Sequence, residues 1–299
     1  MNRRHLLVAA FSLLLFSAAF SQSSRVREIA PGVFVWLGDR EKRQPANCGW
    51  VEFSDHVLVI DANFPWGARE IIPEIKRTTR KPIRFVFNTH YHGDHAYGSE
   101  LFVKEGATVV CSEDCAAESR TKGQASWDKN TETGEFSLKP YQLAHPNIVF
   151  PDKLVFDDGK HRVELIRVGP GHSKGDAVAY LPKQRILFTG DLCVNWKSGN
   201  NVADPDADPE NWVRALDKMA GWDVGTVVVG HGALGSTATL RGQSAYLADM
   251  WRQVRAGKRA GKSADQLAKE IDLSRHGNFA ADADRNTISI RAMYAKAGV

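Results

Sequence analysis

A mixed α/β fold is what this 299-residue chain predicts. Three observations carry that prediction. Short β-branched and aromatic runs bounded by turn residues recur through both halves, segments with helical spacing follow them, and histidines and carboxylates gather where the runs end. The composition, 43% hydrophobic and 25% charged, excludes a disordered or fibrous chain. The net charge of +4 is small and no Lys/Arg block stands out, which argues against a nucleic-acid partner.

Residues 1–21 read as a signal peptide: Arg3 and Arg4 precede an apolar run, and Ala19-Phe20-Ser21 offers small residues to a peptidase. Cleavage before Gln22 would lower the charge to +2 and predicts a periplasmic or secreted protein without stable membrane insertion. The apolar run is short for a full span. Arg3-Arg4 also fits a twin-arginine signal loosely. Residues 26–38 alternate around Pro31-Gly32 as a hairpin would, and residues 48–53 and 56–61 form two strands turned at Ser54-Asp55. No helix separates these strands, so the sheet begins antiparallel or mixed. Residues 66–77 carry helical spacing through Ile71, Ile72 and Ile75, with Pro73 near the first turns or at a kink.

Ile83–Phe87 is a buried strand, and residues 107–111 are another, followed by a helix that Ser112 could cap. Cys111 and Cys115 read as two buried thiols, with a local disulfide as the alternative. Residues 116–145 are polar and irregular and suggest a long loop, whose Trp127, Phe136 and Tyr141 either roof a pocket or pack the loop down. Residues 154–156 and 161–168 are strands, and residues 177–181 and 185–188 pair across Pro182-Lys183. Asp208-Pro209 opens a helix, residues 224–229 form the last strand, and the chain is helical from Thr237, with starts at Ser263 and Asn286. The expected organisation is a domain over residues 22–236 and a helical extension over residues 237–299 packed on it.

The chemistry gathers in Asn88-Thr89-His90-Tyr91-His92-Gly93-Asp94-His95, on the loop leaving Ile83–Phe87. In extended backbone His90 and His92 point to one side, and Gly93 lets the chain turn to aim Asp94 and His95 at a second point. Imidazole and carboxylate suit borderline dications such as zinc; the alternative is a polar loop of solvated histidines. His172, Asp191 and His231 each follow a glycine at a later strand end. Each alone is an ordinary loop residue; together with the first cluster they form a donor set.

Thr89-His90-x-His92-x-Asp94-His95, Gly171-His172-Ser173, Thr189-Gly190-Asp191 and Gly230-His231-Gly232 resemble, in order, the motifs of the metallo-β-lactamase-fold hydrolase superfamily. The resemblance covers residues 26–234, and Asp61 is similar to the residue that leads into that family's first helix. It implies a four-layer αββα sandwich of two mixed sheets with metals at one edge. His90, His92 and His172 would hold one ion, Asp94, His95 and His231 the other, and Asp191 would bridge them. Two zinc ions are expected, with iron or manganese as other ions of this class. Such ions lower the pKa of a shared water, so ester, thioester, amide or phosphodiester hydrolysis needs no Ser or Cys nucleophile. Asp94 is the catalytic candidate, able to orient that water or take its proton.

The chain departs from the true β-lactamases at Asp191, where those most often place a cysteine or another ligand set. Cys193 lies two residues away and reads as a small buried hydrophobe, and Lys197 is off the spacing of a carboxylate-binding lysine. The carboxylate is instead similar to glyoxalase-II-type thioesterases. The readings are therefore a zinc hydrolase of a small molecule, a β-lactamase proper, a mononuclear-iron persulfide dioxygenase, and a metal-binding protein without turnover. Trp196, Asn200 and Asn201 are the substrate-pocket candidates, with a plain surface loop as the alternative.

Overall fold

The computed structural model describes residues 25–198 and 202–298. The leader expected over residues 1–21, Asn200 and Asn201 lie outside the described residues. The first sheet runs in chain order: β1 (Val26–Ala30), β2 (Val33–Trp36), β3 (Cys48–Glu52), β4 (Val57–Ile60), β5 (Ile83–Phe87), β6 (Thr108–Ser112) and β7 (Ile148–Phe150). Its first four strands are antiparallel, as expected where no helix intervenes, and β4 to β7 are parallel. The second sheet contains β8 (Lys153–Asp157), β9 (Arg162–Arg167), β10 (Ala177–Leu181) and β11 (Ile186–Phe188). After the short β12 (Val194–Asn195) comes β13 (Thr226–Val228), which lies parallel to β11, and β14 (His231–Gly232) pairs with β12.

Strand alternation decides which face each residue covers. Val33, Val35, Leu58 and Ile60 of the first sheet meet Val163, Leu165, Ala177, Ala179 and Phe188 of the second in an inner apolar layer. Phe34, Trp36, Trp50, Val57 and Val59 face the other way. They pack against α1 (Pro65–Thr78) and, beyond the short α2 (Gly93–Ala96), Phe102 of α3 (Ser99–Lys104). Pro73 sits inside α1, past its first turn. Ile71→Val should cost about 1 kcal/mol by removing one buried methylene from this outer layer, read as a lower urea midpoint with unchanged slope.

The expectation of a long loop needs correction. Residues 116–145 are not a single loop: α4 (Glu113–Glu118) continues through a π-helical turn at Ser119–Gly123 into α5 (Gln124–Asp128). Ser112 caps α4, its hydroxyl accepting the Cys115 amide. The π turn carries Gly123 past Tyr91, and the Gly123 carbonyl accepts the Tyr97 hydroxyl at 3.1 Å. Trp127 packs edge-on against Tyr97, and Phe136 against Trp66, so these aromatics fasten the segment to the site-bearing loops. Cys111 and Cys115 are buried free thiols, as is Cys193.

The outer face of the second sheet carries Val178, Leu187 and Val227 under α6 (Pro209–Ala220) and α7 (Thr237–Arg259). Asp208 caps α6 and Ser236 caps α7. After α8 (Ala264–Glu270), capped by Ser263, the last helix α9 (Ala283–Lys296) starts at Asp282, four residues before the expected Asn286. Asn286 instead accepts the Tyr246 hydroxyl and donates to the Ala280 carbonyl, ties to other segments that no local pattern announces.

Candidate metal centre

The donor residues leave the strands at one edge of the sandwich. β4 ends in Asp61, whose φ of 60° folds the chain back, and Asp61 grips the loop after β5. Its carboxylate accepts the Thr89 amide at 2.8 Å, the Thr89 hydroxyl at 3.0 Å and His95 Nδ1 at 2.8 Å. Thr89 Oγ1 spends its hydrogen on Asp61, so it accepts from His90 Nδ1 at 3.1 Å and leaves Nε2 as the unprotonated nitrogen. His231 donates through Nδ1 to the Pro45 carbonyl at 2.9 Å. His92 Nε2 lies 3.3 Å from Asp204, which also accepts the Tyr91 hydroxyl at 2.5 Å and the Lys122 ammonium at 2.9 Å. Four imidazoles thus have their outward nitrogens committed, which fixes each tautomer and aims the other nitrogen inward.

Two groups of donor atoms result, His90, His92, His172 with Asp191, and Asp94, His95 with His231, each with atoms within 4.8 Å of one another. His92 Nδ1 lies 2.9 Å from His172 Nε2, and His95 Nε2 lies 3.3 Å from His231 Nε2. With both Nδ1 atoms engaged elsewhere, the two Nε2 atoms converge on each other and on Asp191 Oδ1, an arrangement that suits a cation held among them. His90 Nε2 is buried without a hydrogen-bond partner among the described residues. Burial and the surrounding imidazoles hold His90 well below the ordinary histidine range, and burial with His92 pushes His172 down to about 3. Both are therefore neutral, the form that ligates metal. Burial opposes ionisation of Asp191, but His231 and His95 keep it well below the carboxylate range. These residues fit a pair of divalent ions.

Asp191 Oδ1 lies 2.9 Å from His231 Nε2 and 3.1 Å from His95 Nε2, and Oδ2 lies 3.6 Å from His172 Nε2. It therefore touches both groups. A Cβ on Gly230 would stand 2.1 Å from Asp191 Oδ1, so only glycine lets that strand end pass so close. Beside the donors lies a cavity of about 370 Å³ lined by Phe64, Asp94, Trp196 and three arginines, Arg40, Arg43 and Arg285.

The sequence model of the Metallo-beta-lactamase superfamily matches residues 42–231. The chain belongs to the metallo-β-lactamase superfamily. Its members are metal-dependent hydrolases. A linear primary-alkylsulfatase from Pseudomonas sp. (strain ATCC 19151) is 23% identical, over 76% of this chain and 50% of the relative. The chain thus spans about half the length of this curated relative. A metallo-beta-lactamase from Pontibacter korlensis superposes with a TM-score of 0.62 at 24% identity, over 75% of this chain and 98% of its own. A double mutant of the sec-alkyl sulfatase PisA1 superposes with a TM-score of 0.71 at 17% identity, over 91% of this chain and 50% of its own. Both structural likenesses show the superfamily fold.

The structure brings His90, His92, Asp94, His95, His172, Asp191 and His231 together, in the two groups that the motifs imply. Trp196 lines the cavity and stacks on His231 at 4.6 Å and 18°. Cys193 is fully buried in the layer under α6 and α7, and burial raises its thiol. Three contributors escape sequence reasoning. Asp204 lies in a run of acidic and proline residues that looks like any surface loop, Tyr91 has no legible role until Asp204 is placed, and Arg285 comes from α9.

Proposed function

We propose that this superfamily member is an exported hydrolase holding two zinc ions, which cleaves an ester, thioester or amide bond of a small molecule. The observation that carries this reading is the pair of buried donor groups with Asp191 touching both. His90, His92 and His172 would hold one ion and Asp94, His95 and His231 the other. Bound there, such ions supply Lewis acidity and a hydroxide nucleophile near neutral pH. The chain supplies the rest. Asp204, Asp61 and the Pro45 carbonyl keep His92, His95 and His231 in the ligating tautomer. Asp94 reaches the donors through Oδ2, 3.3 Å from His231 and 3.8 Å from His95, and its side chain is 23% exposed at the cavity. It is thus the carboxylate placed to hold or accept a proton.

A cavity of about 370 Å³ suits a small substrate, and no nucleic-acid or stable membrane partner is proposed. Two of the relatives are alkyl-sulfate hydrolases by name, so an alkyl sulfate belongs in the substrate panel with thioesters, lactones and β-lactams. Elemental analysis of the purified protein should find about two zinc ions per chain, with fewer in His92→Ala and hydrolysis reduced in parallel. About one iron per chain, with oxygen consumed in the presence of a persulfide, would replace this reading with the dioxygenase.

A further inference from the structure

The three arginines around the cavity are not equivalent. Arg43 is already satisfied, because both its terminal nitrogens bond Glu132, at 2.7 and 3.1 Å, and its guanidinium lies over Phe136. Arg40 has no carboxylate partner among the described residues. Its neighbour Asp39 is occupied at Oδ1 by the Glu41 and Lys42 amides. Among the described residues, the carboxylate contact of Arg285 is a 3.6 Å one with Asp282 of its own helix turn. Both guanidinium groups nevertheless share one platform, with Arg40 Cζ 4.4 Å and Arg285 Cζ 5.4 Å from the Trp196 ring centroid. Stacking on a ring holds a guanidinium in place through its face and leaves its N–H edge available. The same indole stacks on His231, so this cationic platform is one ring removed from the donor cluster.

Carboxylates do line the same cavity, but they do not neutralise the platform. Asp94 and Asp191 are directed at His95 and His231. Two guanidinium forks beside the donor cluster, one without a carboxylate partner among the described residues and one with a single 3.6 Å contact, are an oxyanion-binding arrangement, since guanidinium presents parallel donors that match sulfate and carboxylate oxygens. Arg40 and Arg285 also lie outside residues 42–231, the segment the superfamily model matches, and come from opposite ends of the chain. The platform is therefore built by this chain's own flanks. We propose that Arg40 and Arg285, braced on Trp196, bind an oxyanion group of the substrate, so that the molecule cleaved at this centre is an anion.

The inference rests on the hydrolase reading of the same cavity, and binding is measured apart from turnover so that the two can fail separately. Titration calorimetry on the metal-loaded protein would use octanesulfonate, octanoate and uncharged octanol. Both anions are expected to bind more tightly than octanol. The Arg40→Gln/Arg285→Gln double variant should weaken anion binding by about tenfold or more, the scale of a lost charged hydrogen bond. The Arg255→Gln/Arg259→Gln double variant, which removes the same two charges on α7 outside the cavity, should not. Preference for the sulfonate assigns a sulfate-type group and preference for octanoate a carboxylate, and either supports the proposal. Octanol binding as tightly as the anions, or anion binding indifferent to the double variant, would overturn it. Arginine-dependent anion binding without turnover of any ester keeps the platform and removes the hydrolase reading.

Discussion

Asp191→Asn is expected to lower kcat/KM for hydrolysis by about 10³-fold or more and to cut bound metal below two ions per chain. The argument starts from charge. Asp191 is the buried carboxylate that touches both donor groups, with oxygens near His95, His231 and His172. Asparagine has the same shape but is neutral, and it would turn an N–H donor towards imidazole lone pairs or a cation. It also has nowhere to go: Gly190, at φ 50°, abuts the Thr89 side chain, and Gly230 passes against Asp191 itself. The comparison is Asp94→Asn, where the three-histidine group is intact and the altered side chain is partly exposed. That variant should keep at least one ion and lose about 10²- to 10⁴-fold in rate, the range of a lost general acid–base group. Two zinc ions and near-native turnover in Asp191→Asn would refute the bridging role.

How much of this was legible in the sequence follows from where the information sits. His90, His92, Asp94 and His95 fall within six positions after one strand, so local backbone geometry is enough to bring them together. His172, Asp191 and His231 are distant in sequence, but each follows a glycine at a strand end, and sheet topology gathers such ends on one edge. Asp204 carries no such mark. It matters because Tyr91, His92 and Lys122 reach it, which are contacts over 82 to 113 residues. The continuation of α4 through Ser119–Gly123 into α5 was hidden for a related reason. Its segment is polar because it packs through a few small residues, Cys115, Ala116, Ser119 and Gly123, and tertiary contact supplies what an apolar stripe normally would. Arg285 is the extreme case: a surface-type residue on a helix acquires meaning only because α9 returns beside Trp196.

Asp61 separates the fold's requirement from the metal's. It is 2% exposed, sits at φ 60°, and accepts from the Thr89 amide, the Thr89 hydroxyl and His95 Nδ1. Asp61→Ala leaves these donors buried and unpaired and puts a side chain without a hydrogen-bonding group in the left-handed region, where Asp and Asn are tolerated best. The expected loss is about 3–5 kcal/mol of stability, the scale of breaking a buried charge-bonded network, seen as a lower urea midpoint with or without chelator. Asp61→Asn should behave differently. Its carbonyl oxygen can still accept from Thr89, and asparagine keeps the left-handed backbone, so the β4–β5 junction survives. Its amide group cannot accept from His95 Nδ1, however, so the ring loses the partner that aims Nε2 inward. Metal affinity should then fall about 10- to 100-fold, as when a ligand's supporting partner is removed, while chelator-treated protein unfolds at a midpoint much closer to the native one than that of Asp61→Ala. If both variants lost stability equally and bound metal equally, Asp61 would be a structural clamp with no part in orienting His95.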